Sequence, residues 1–183
     1  MITQTYGSVR SELESVFGNH PTIIAAVQSN LIVKVGSGFY TAPDIDANTA
    51  LLITVGRFFP KAAISGISAL AFHGLSNEQP NKVTVDIERT TSLRNQILQV
   101  RRVMPAFLIG IETVKFQGVK IKIYDVERSL CDIYRIEKDG PIFIKAIKRY
   151  VKKYKINSVK FAKYDSILKT RVLPHLKQEL AEG

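Results

Sequence analysis

The stretch VKVGSGFYTAP, residues 33–43, constrains the fold more than any other part of the sequence. Two glycines, Gly36 and Gly38, stand between short runs of β-branched and aromatic residues. A dinucleotide-binding loop needs a third glycine three residues further on, where this chain has Thr41. Because glycine reaches the positive φ angles of a tight turn, the stretch predicts a β-hairpin with Gly36-Ser37-Gly38 at its tip.

Two short helices are predicted immediately before the hairpin. Apolar residues at helical spacing indicate a first helix over residues 8–17, and Gly18-Asn19 provides a stop. Pro21 suits the first turn of a second helix that ends near Gln28. Helix, turn, helix and hairpin follow in the order of a winged helix-turn-helix, whose second helix enters the major groove of DNA.

The exposed faces of these elements carry small polar side chains and one lysine, which suit contacts to phosphates or base edges. Residues 1–43 hold two basic and two acidic side chains, so this module alone would bind DNA weakly. The candidate DNA-binding residues here are Thr22, Gln28, Ser29, Asn30, Lys34 and Ser37.

Residues 44–183 predict a second domain. Hydrophobic periodicity indicates helices over 47–59 and 64–73, strands over 82–88, 98–104, 110–116 and 119–121, and a helix from Asp125 through Ile136. The predicted fold class is α+β: a winged helix-turn-helix over 1–43, then a mixed α/β domain with a small, mostly antiparallel sheet and a helical, basic C-terminal region from residue 140.

The positive charge is concentrated in that C-terminal region. Residues 140–183 carry 11 basic and 3 acidic side chains, within a net charge of +10 for the whole chain. On a helical wheel the apolar residues Phe143, Ile147, Tyr150, Val151 and Tyr154 share one side. A polyanion is the predicted partner, although a solvated helix face is the alternative. The candidate phosphate-binding residues on the opposite side are Lys145, Lys148, Arg149, Lys152 and Lys153.

Three stretches in order resemble the AbiEi-type antitoxins of bicistronic type IV toxin-antitoxin systems. They are LIVKVGSGFYTAP (31–43), AISGISALAFHGL (63–75) and VKIKIYDVERSLCDIYR (119–135). The similarity lies in the wing ending Gly38-Phe39-Tyr40, the helix from Ser65 to Leu75, and the strand-to-helix turn from Asp125 to Asp132. It covers roughly residues 8–136.

The resemblance implies a transcriptional autorepressor without catalytic activity. Its winged helix would bind double-stranded operator DNA, usually as inverted repeats upstream of its own operon. Its second domain would assist repression and oppose a nucleotidyltransferase toxin encoded beside it, a system of abortive infection in phage defence. In the type IV mode the two proteins need not touch; the alternative is an antitoxin that clamps its toxin directly.

A metal-dependent nucleotidyltransferase is a weaker alternative. Asp86 and Glu88 share one face of the strand over 82–88, as a metal pair requires, and Ser65-Gly66 precedes them by about 20 residues. A third carboxylate is not evident, so we expect no catalytic residue. Glu127 and Arg128 are expected to pair with each other and to cap their helix.

The sequence favours neither a metal centre nor a cofactor. His20, His73 and His175 lie on separate segments, and His73 is expected to cap a helix end. The single Cys131 is expected to be a buried thiol.

Membrane attachment is not expected either. No run approaches about 18 consecutive apolar residues, so we expect no membrane span. The polar N-terminal stretch predicts a cytoplasmic protein.

Overall fold

The computed structural model describes residues 8–36, 38–78 and 80–182. Within these ranges the chain has an α+β fold of eight α-helices and two small sheets, which confirms the α+β part of the predicted fold class. None of the helices in the described ranges combines the length and the apolar character needed to cross a membrane.

An N-terminal module of two helices and a three-stranded antiparallel sheet begins the described chain. The sheet order is β1-β3-β2, so the hairpin formed by β2 and β3 gains a third strand on its β3 side. The predicted first helix starts two residues too early, because Ser8 and Val9 pair with Tyr40 and Phe39 instead. The elements are β1 (Ser8–Val9), α1 (Arg10–Phe17), α2 (His20–Gln28), β2 (Val33–Gly36) and β3 (Phe39–Thr41).

A five-stranded sheet of order β6-β5-β4-β8-β7 forms the centre of the second domain. Two neighbouring pairs are antiparallel (β4 with β5, β7 with β8) and two are parallel (β4 with β8, β5 with β6). The prediction of a mostly antiparallel sheet is therefore wrong here, and the sheet is mixed. The strands are β4 (Ala63–Ile64), β5 (Val83–Glu88), β6 (Leu98–Val103), β7 (Ile111–Phe116) and β8 (Val119–Tyr124).

Two helices flank the short strand β4. The helix α3 (Ala47–Phe58) begins after Asp46, whose carboxylate accepts a hydrogen bond from the Thr49 backbone N–H. The helix predicted from residue 64 begins later, as α4 (Gly66–Phe72), because Ala63 and Ile64 are buried in the sheet. A strand of two residues leaves no periodic pattern, so sequence analysis assigned it to the helix.

Four further helices complete the second domain. Asp125 caps the first of them: its Oδ1 atom accepts a hydrogen bond of 2.7 Å from the Arg128 backbone N–H. The region predicted as helical throughout from Pro141 is three helices, separated by short breaks at residues 154–157 and 169–171. The helices are α5 (Val126–Glu137), α6 (Pro141–Lys153), α7 (Ser158–Leu168) and α8 (Val172–Glu182).

The N-terminal hairpin is seated on the second domain. The Phe39 ring lies 5.3 Å from the Phe58 ring and 5.9 Å from the Phe59 ring, centre to centre. A Cβ atom placed on Gly36 would come within 2.2 Å of the Ile97 side chain, so only glycine fits this contact. The hairpin therefore shares a hydrophobic cluster with the second domain.

Candidate nucleic-acid interface

The helix α6 separates its apolar and basic residues cleanly. Phe143, Ala146, Ile147 and Tyr150 are buried against the neighbouring helices. Three lysines are exposed on the outer side. Within the described residues, none of their ammonium groups has a hydrogen-bond partner or a carboxylate within 4.0 Å. Those lysines are Lys145, Lys148 and Lys152. They are free to contact an external anion.

The other two candidate cations of α6 make hydrogen bonds to other parts of the protein. Arg149 is half-buried and donates a hydrogen bond of 3.1 Å to the Asn77 side chain. The Lys153 ammonium donates a hydrogen bond of 2.9 Å to the His73 backbone carbonyl and lies 5.3 Å from the Tyr154 ring centre. Both side chains remain charged, but their hydrogen bonds link α6 to the segment that begins at the end of α4. They therefore stabilise the fold.

Lys160 on α7 is neutralised by acidic residues from other elements. Its ammonium lies 3.1 Å from Asp125, 3.2 Å from Glu127 and 3.7 Å from Glu112. Burial alone would lower the pKa of Lys160, but Asp125 and Glu127 more than offset burial, and the net shift is upward. The tail therefore does have acidic partners, brought from a distant part of the chain.

The predicted DNA-contact residues of the N-terminal module differ in whether their side chains already make hydrogen bonds within the protein. Thr22 donates its hydroxyl hydrogen to Asn19 at 2.5 Å, and Ser29 donates to the Ala25 carbonyl at 2.9 Å. Gln28 and Lys34 are exposed, and their side chains make no hydrogen bond with the part of the chain that the structure describes. Asn30 is also exposed, whereas Ser37 lies outside the described residues.

Both carboxylates of this module are paired. Glu14 contacts Arg10 at 2.7 Å, and Glu12 contacts Arg57 of α3 at 2.8 Å. The second pair also links the module to the second domain. Because the two acidic groups are matched by arginines, Lys34 is left as an unpaired positive charge on the hairpin within the described residues.

Two adjoining grooves extend from the hairpin toward the segment after α4. The first, of about 440 Å³, is lined by Lys34, Asp46, Asn48 and Pro80 among others. The second, of about 660 Å³, shares the last three of these residues and extends to Asn77 and Glu78. Asn77 accepts the hydrogen bond from Arg149 of α6, so the second groove ends beside a residue that contacts α6.

The interior of the second domain contains a network of charged residues around Asp86. Its carboxylate accepts hydrogen bonds from Ser65 at 2.7 Å, Arg101 at 2.6 Å and Tyr124 at 2.8 Å. Burial, followed by the nearby Asp86 charge, raises the pKa of the Tyr124 hydroxyl. The tyrosine therefore stays neutral and acts as a donor to Asp86.

Asp132 is the second acidic centre of this network. It accepts hydrogen bonds from the Gly66 backbone N–H at 2.9 Å and from Arg101 at 2.5 Å, and it lies 3.3 Å from Arg128. Burial alone would lower the pKa of Arg101, but Asp132 and Asp86 raise it by more. Arg128 is fully buried, with its guanidinium 4.0 Å from the Tyr124 ring centre.

The network gathers the residues of the second and third motif stretches, 63–75 and 119–135. Ser65 and Gly66 come from the first of these stretches, and Tyr124, Arg128 and Asp132 from the other. Only Arg101, with 24 % of its side chain exposed, reaches the surface among the network's ion-paired residues. These motifs hold the domain together.

The candidate metal pair does not form a site. The buried Asp86 carboxylate already accepts three hydrogen bonds. Glu88 is exposed and accepts a hydrogen bond from Thr90, two residues further on. Within the described residues, no three His, Cys, Asp or Glu side chains are grouped closely enough to hold a metal ion.

The expected pair between Glu127 and Arg128 is wrong. Arg128 contacts Asp132, while Glu127 accepts a hydrogen bond of 3.1 Å from Tyr150. Consecutive residues on a helix point in different directions, so they cannot face each other. The cap of α5 is Asp125 instead.

One single residue behaves as predicted and another only in part. His73 is the C-terminal cap residue of α4, but its Nε2 atom lies 2.7 Å from the Tyr124 backbone carbonyl of β8, so the imidazole does not cap the helix carbonyls. Cys131 is a fully buried free thiol, and burial raises its pKa.

No protein-family model matches the sequence, and a comparison with curated proteins finds no similar one.

Proposed function

We propose that the protein is a DNA-binding autorepressor that acts as the antitoxin of a type IV toxin-antitoxin system. The observation that carries the DNA part of the proposal is the row of unpaired lysines on α6, Lys145, Lys148 and Lys152. The toxin-neutralising part is supported by the resemblance of three ordered motifs to the AbiEi-type antitoxins.

The spacing of the three lysines suits a sugar-phosphate strand. Lys145 and Lys152 are two helical turns apart, which is about 10 Å at a rise of about 1.5 Å per residue. A strand of duplex DNA presents one phosphate per about 3.4 Å of axis, so four successive phosphates cover about 10 Å. Each phosphate that a lysine neutralises releases counterions, and this release supplies favourable free energy.

The N-terminal module supports the same proposal. Two helices joined by a short turn precede a β-hairpin, and the strand β1 extends that hairpin to three strands. This order is the one expected of a winged helix-turn-helix, with α2 as the helix that enters the major groove. Lys34 on the hairpin would then contact a phosphate on the strand flanking that groove.

The salt dependence of binding to the DNA upstream of the protein's own operon tests this proposal. We expect replacement of Lys145, Lys148 and Lys152 by alanine to weaken binding and to reduce the slope of log K against log salt by nearly three. The control replaces Lys155, Lys163 and Lys177, which are exposed tail lysines outside α6. The proposal fails if both triple variants reduce the slope equally, or if neither does.

A direct clamp on the toxin is the second candidate function. It is favoured by Ile144, which lies on α6 immediately before Lys145 with 44 % of its surface exposed, and by Val159, which is 80 % exposed on α7. Exposed apolar side chains among cations suit an acidic protein surface. Co-expression with the neighbouring gene product separates the two functions: a stable complex supports the clamp, and separate elution supports the type IV mode.

A further inference from the structure

The outward face of α2 carries an unusual set of side chains for a DNA-reading helix. Ile23 and Ala26 are buried against α1, so the opposite side presents Pro21, Ala25 and Gln28 to solvent. Ile24, with 44 % of its surface exposed, flanks them. The accessible surface of this helix is therefore mainly apolar, with one amide in its last turn.

Gln28 is the only side chain on this face whose hydrogen-bonding groups are all free within the described residues. The hydroxyl hydrogens of Thr22 and Ser29 are donated to Asn19 and to the Ala25 backbone carbonyl. The helix contains no arginine, lysine or carboxylate, and His20 at its first position is its one titratable residue. Gln28 is thus the group best placed to bind a base edge.

Side chains of these types discriminate between base pairs in the major groove. Guanine is read most often by arginine or lysine at O6 and N7, and α2 offers neither. Glutamine binds adenine through N6 and N7, and apolar side chains pack against the C5 methyl group of thymine. The chemistry of this face therefore favours A·T over G·C pairs.

We infer that α2 recognises A·T base pairs in the major groove of the operator, with Gln28 on adenine and with Ile24 and Ala25 on thymine methyl groups. This inference rests on the proposed function, because it assumes that α2 enters the groove. It adds the base class that the repressor reads.

Charge favours DNA over a protein as the occupant of this face. Both carboxylates of the module are neutralised by arginines, so no unpaired acidic group of α1 or α2 would face a phosphate. On the hairpin, Lys34 is exposed, and its ammonium has no carboxylate partner within the described residues. The apolar outward face of α2, with the positive charge of Lys34 on the hairpin, is complementary to a DNA groove bordered by phosphates.

Two modified operator duplexes test the inference with the full-length protein. In the first, deoxyuridine replaces the thymines of the protected half-sites, which removes only the C5 methyl groups. In the second, 7-deazaadenine replaces adenine, which removes the N7 acceptor. We expect each modification to weaken binding by about fivefold or more, the lower end of the range for one discriminating base contact.

Alanine variants assign the two effects to residues. Ile24→Ala, which keeps the smaller Ala25 contact, is expected to lose most of the preference for thymine over deoxyuridine duplexes, while remaining sensitive to 7-deazaadenine. Gln28→Ala is expected to do the reverse. Ile136→Ala, at an isoleucine on α5 that is 59 % exposed, is the matched control and should keep both sensitivities.

The outcomes separate this inference from the function on which it rests. If the wild-type protein binds the unmodified operator but neither modification changes its affinity, the A·T inference is wrong and DNA-binding repression stands. Sensitivities that Ile24→Ala and Gln28→Ala leave unchanged also contradict the inference, because other residues would then read the bases. Failure of the wild-type protein to bind the operator in preference to unrelated DNA overturns the proposed function itself.

Discussion

The interior network and the outer face of α6 use charged residues in opposite ways. In the network, the buried carboxylates of Asp86 and Asp132 pair with Arg101, which is partly exposed, and Asp132 also pairs with the fully buried Arg128. On α6, the ammonium groups of Lys145, Lys148 and Lys152 are exposed, and no carboxylate of the described residues pairs with them. Charge that is paired inside the domain stabilises the fold, whereas unpaired charge outside is available to a partner.

This difference assigns separate roles to the motifs and to the tail. The stretches 63–75 and 119–135 supply most of the network residues, so their sequence pattern reflects the requirements of the fold. The lysines of α6 lie outside all three motif stretches. A change inside the network should therefore affect stability first, and a change on α6 should affect binding first.

The largest expected effect is on stability, from Asp132→Ala. This substitution leaves Arg101 and the fully buried Arg128 without the carboxylate they share. Removing one partner from a buried ion pair typically costs about 3–5 kcal/mol, so we expect a loss of that order in the free energy of unfolding, measured with urea. Glu88→Ala, at an exposed carboxylate, should change it by less than about 0.5 kcal/mol.

A different result for Asp132→Ala would break the comparison. If the variant kept wild-type stability but lost DNA binding, the network would be a functional site and the separation of roles would be wrong.

A smaller effect is expected from Lys160→Ala, and it sharpens the comparison within the basic tail. Lys160 is 38 % exposed and contacts three carboxylates, so its loss should lower the free energy of unfolding by about 1 kcal/mol. It should leave the salt dependence of DNA binding unchanged, because its charge is already neutralised. Lys148→Ala should do the opposite, with little effect on unfolding and a slope reduced by nearly one.

The smallest expected effect concerns pH and the junction between α4 and α6. Burial lowers the pKa of His73 below its ordinary value of 6.5, so the folded protein keeps this imidazole neutral where the unfolded chain takes up a proton. Stability should therefore fall as the pH drops below about 6.5. His73→Gln, whose amide can still donate to the Tyr124 carbonyl, should lose less stability between pH 7.5 and pH 5.5, measured by urea unfolding. An equal loss in both proteins would contradict this role.

Sequence analysis predicted best the elements that local signals define. Pro21 in the first turn of α2 and Asp125 at the start of α5 both act within a few residues. The strand β4 was missed because its two residues are held by pairing with Asp86, Val85 and Ile123, which are distant in sequence.

The contact partners of the charged side chains were the least predictable feature of the structure. The helical wheel for α6 identified its buried face correctly. It could not show that the Lys148 ammonium has no hydrogen-bond partner within the described residues, whereas the Lys153 ammonium does. That difference depends on the His73 backbone carbonyl, 80 residues away in sequence. The exposure of Ile24 and Ala25 on α2 becomes evident only once α1 covers the other side of that helix.

Site-directed crosslinking tests most directly the central claim, that the hairpin and α6 contact one duplex together. Lys34→Cys and Lys148→Cys can each be crosslinked to thiol-modified operator DNA, because the native Cys131 is buried and its raised pKa makes it unreactive. We expect both positions to crosslink to the same duplex within one complex, at phosphates on either side of the α2 contact. Crosslinking from Lys34→Cys alone, with Lys148→Cys as unreactive as an exposed control at Lys177, would contradict the account.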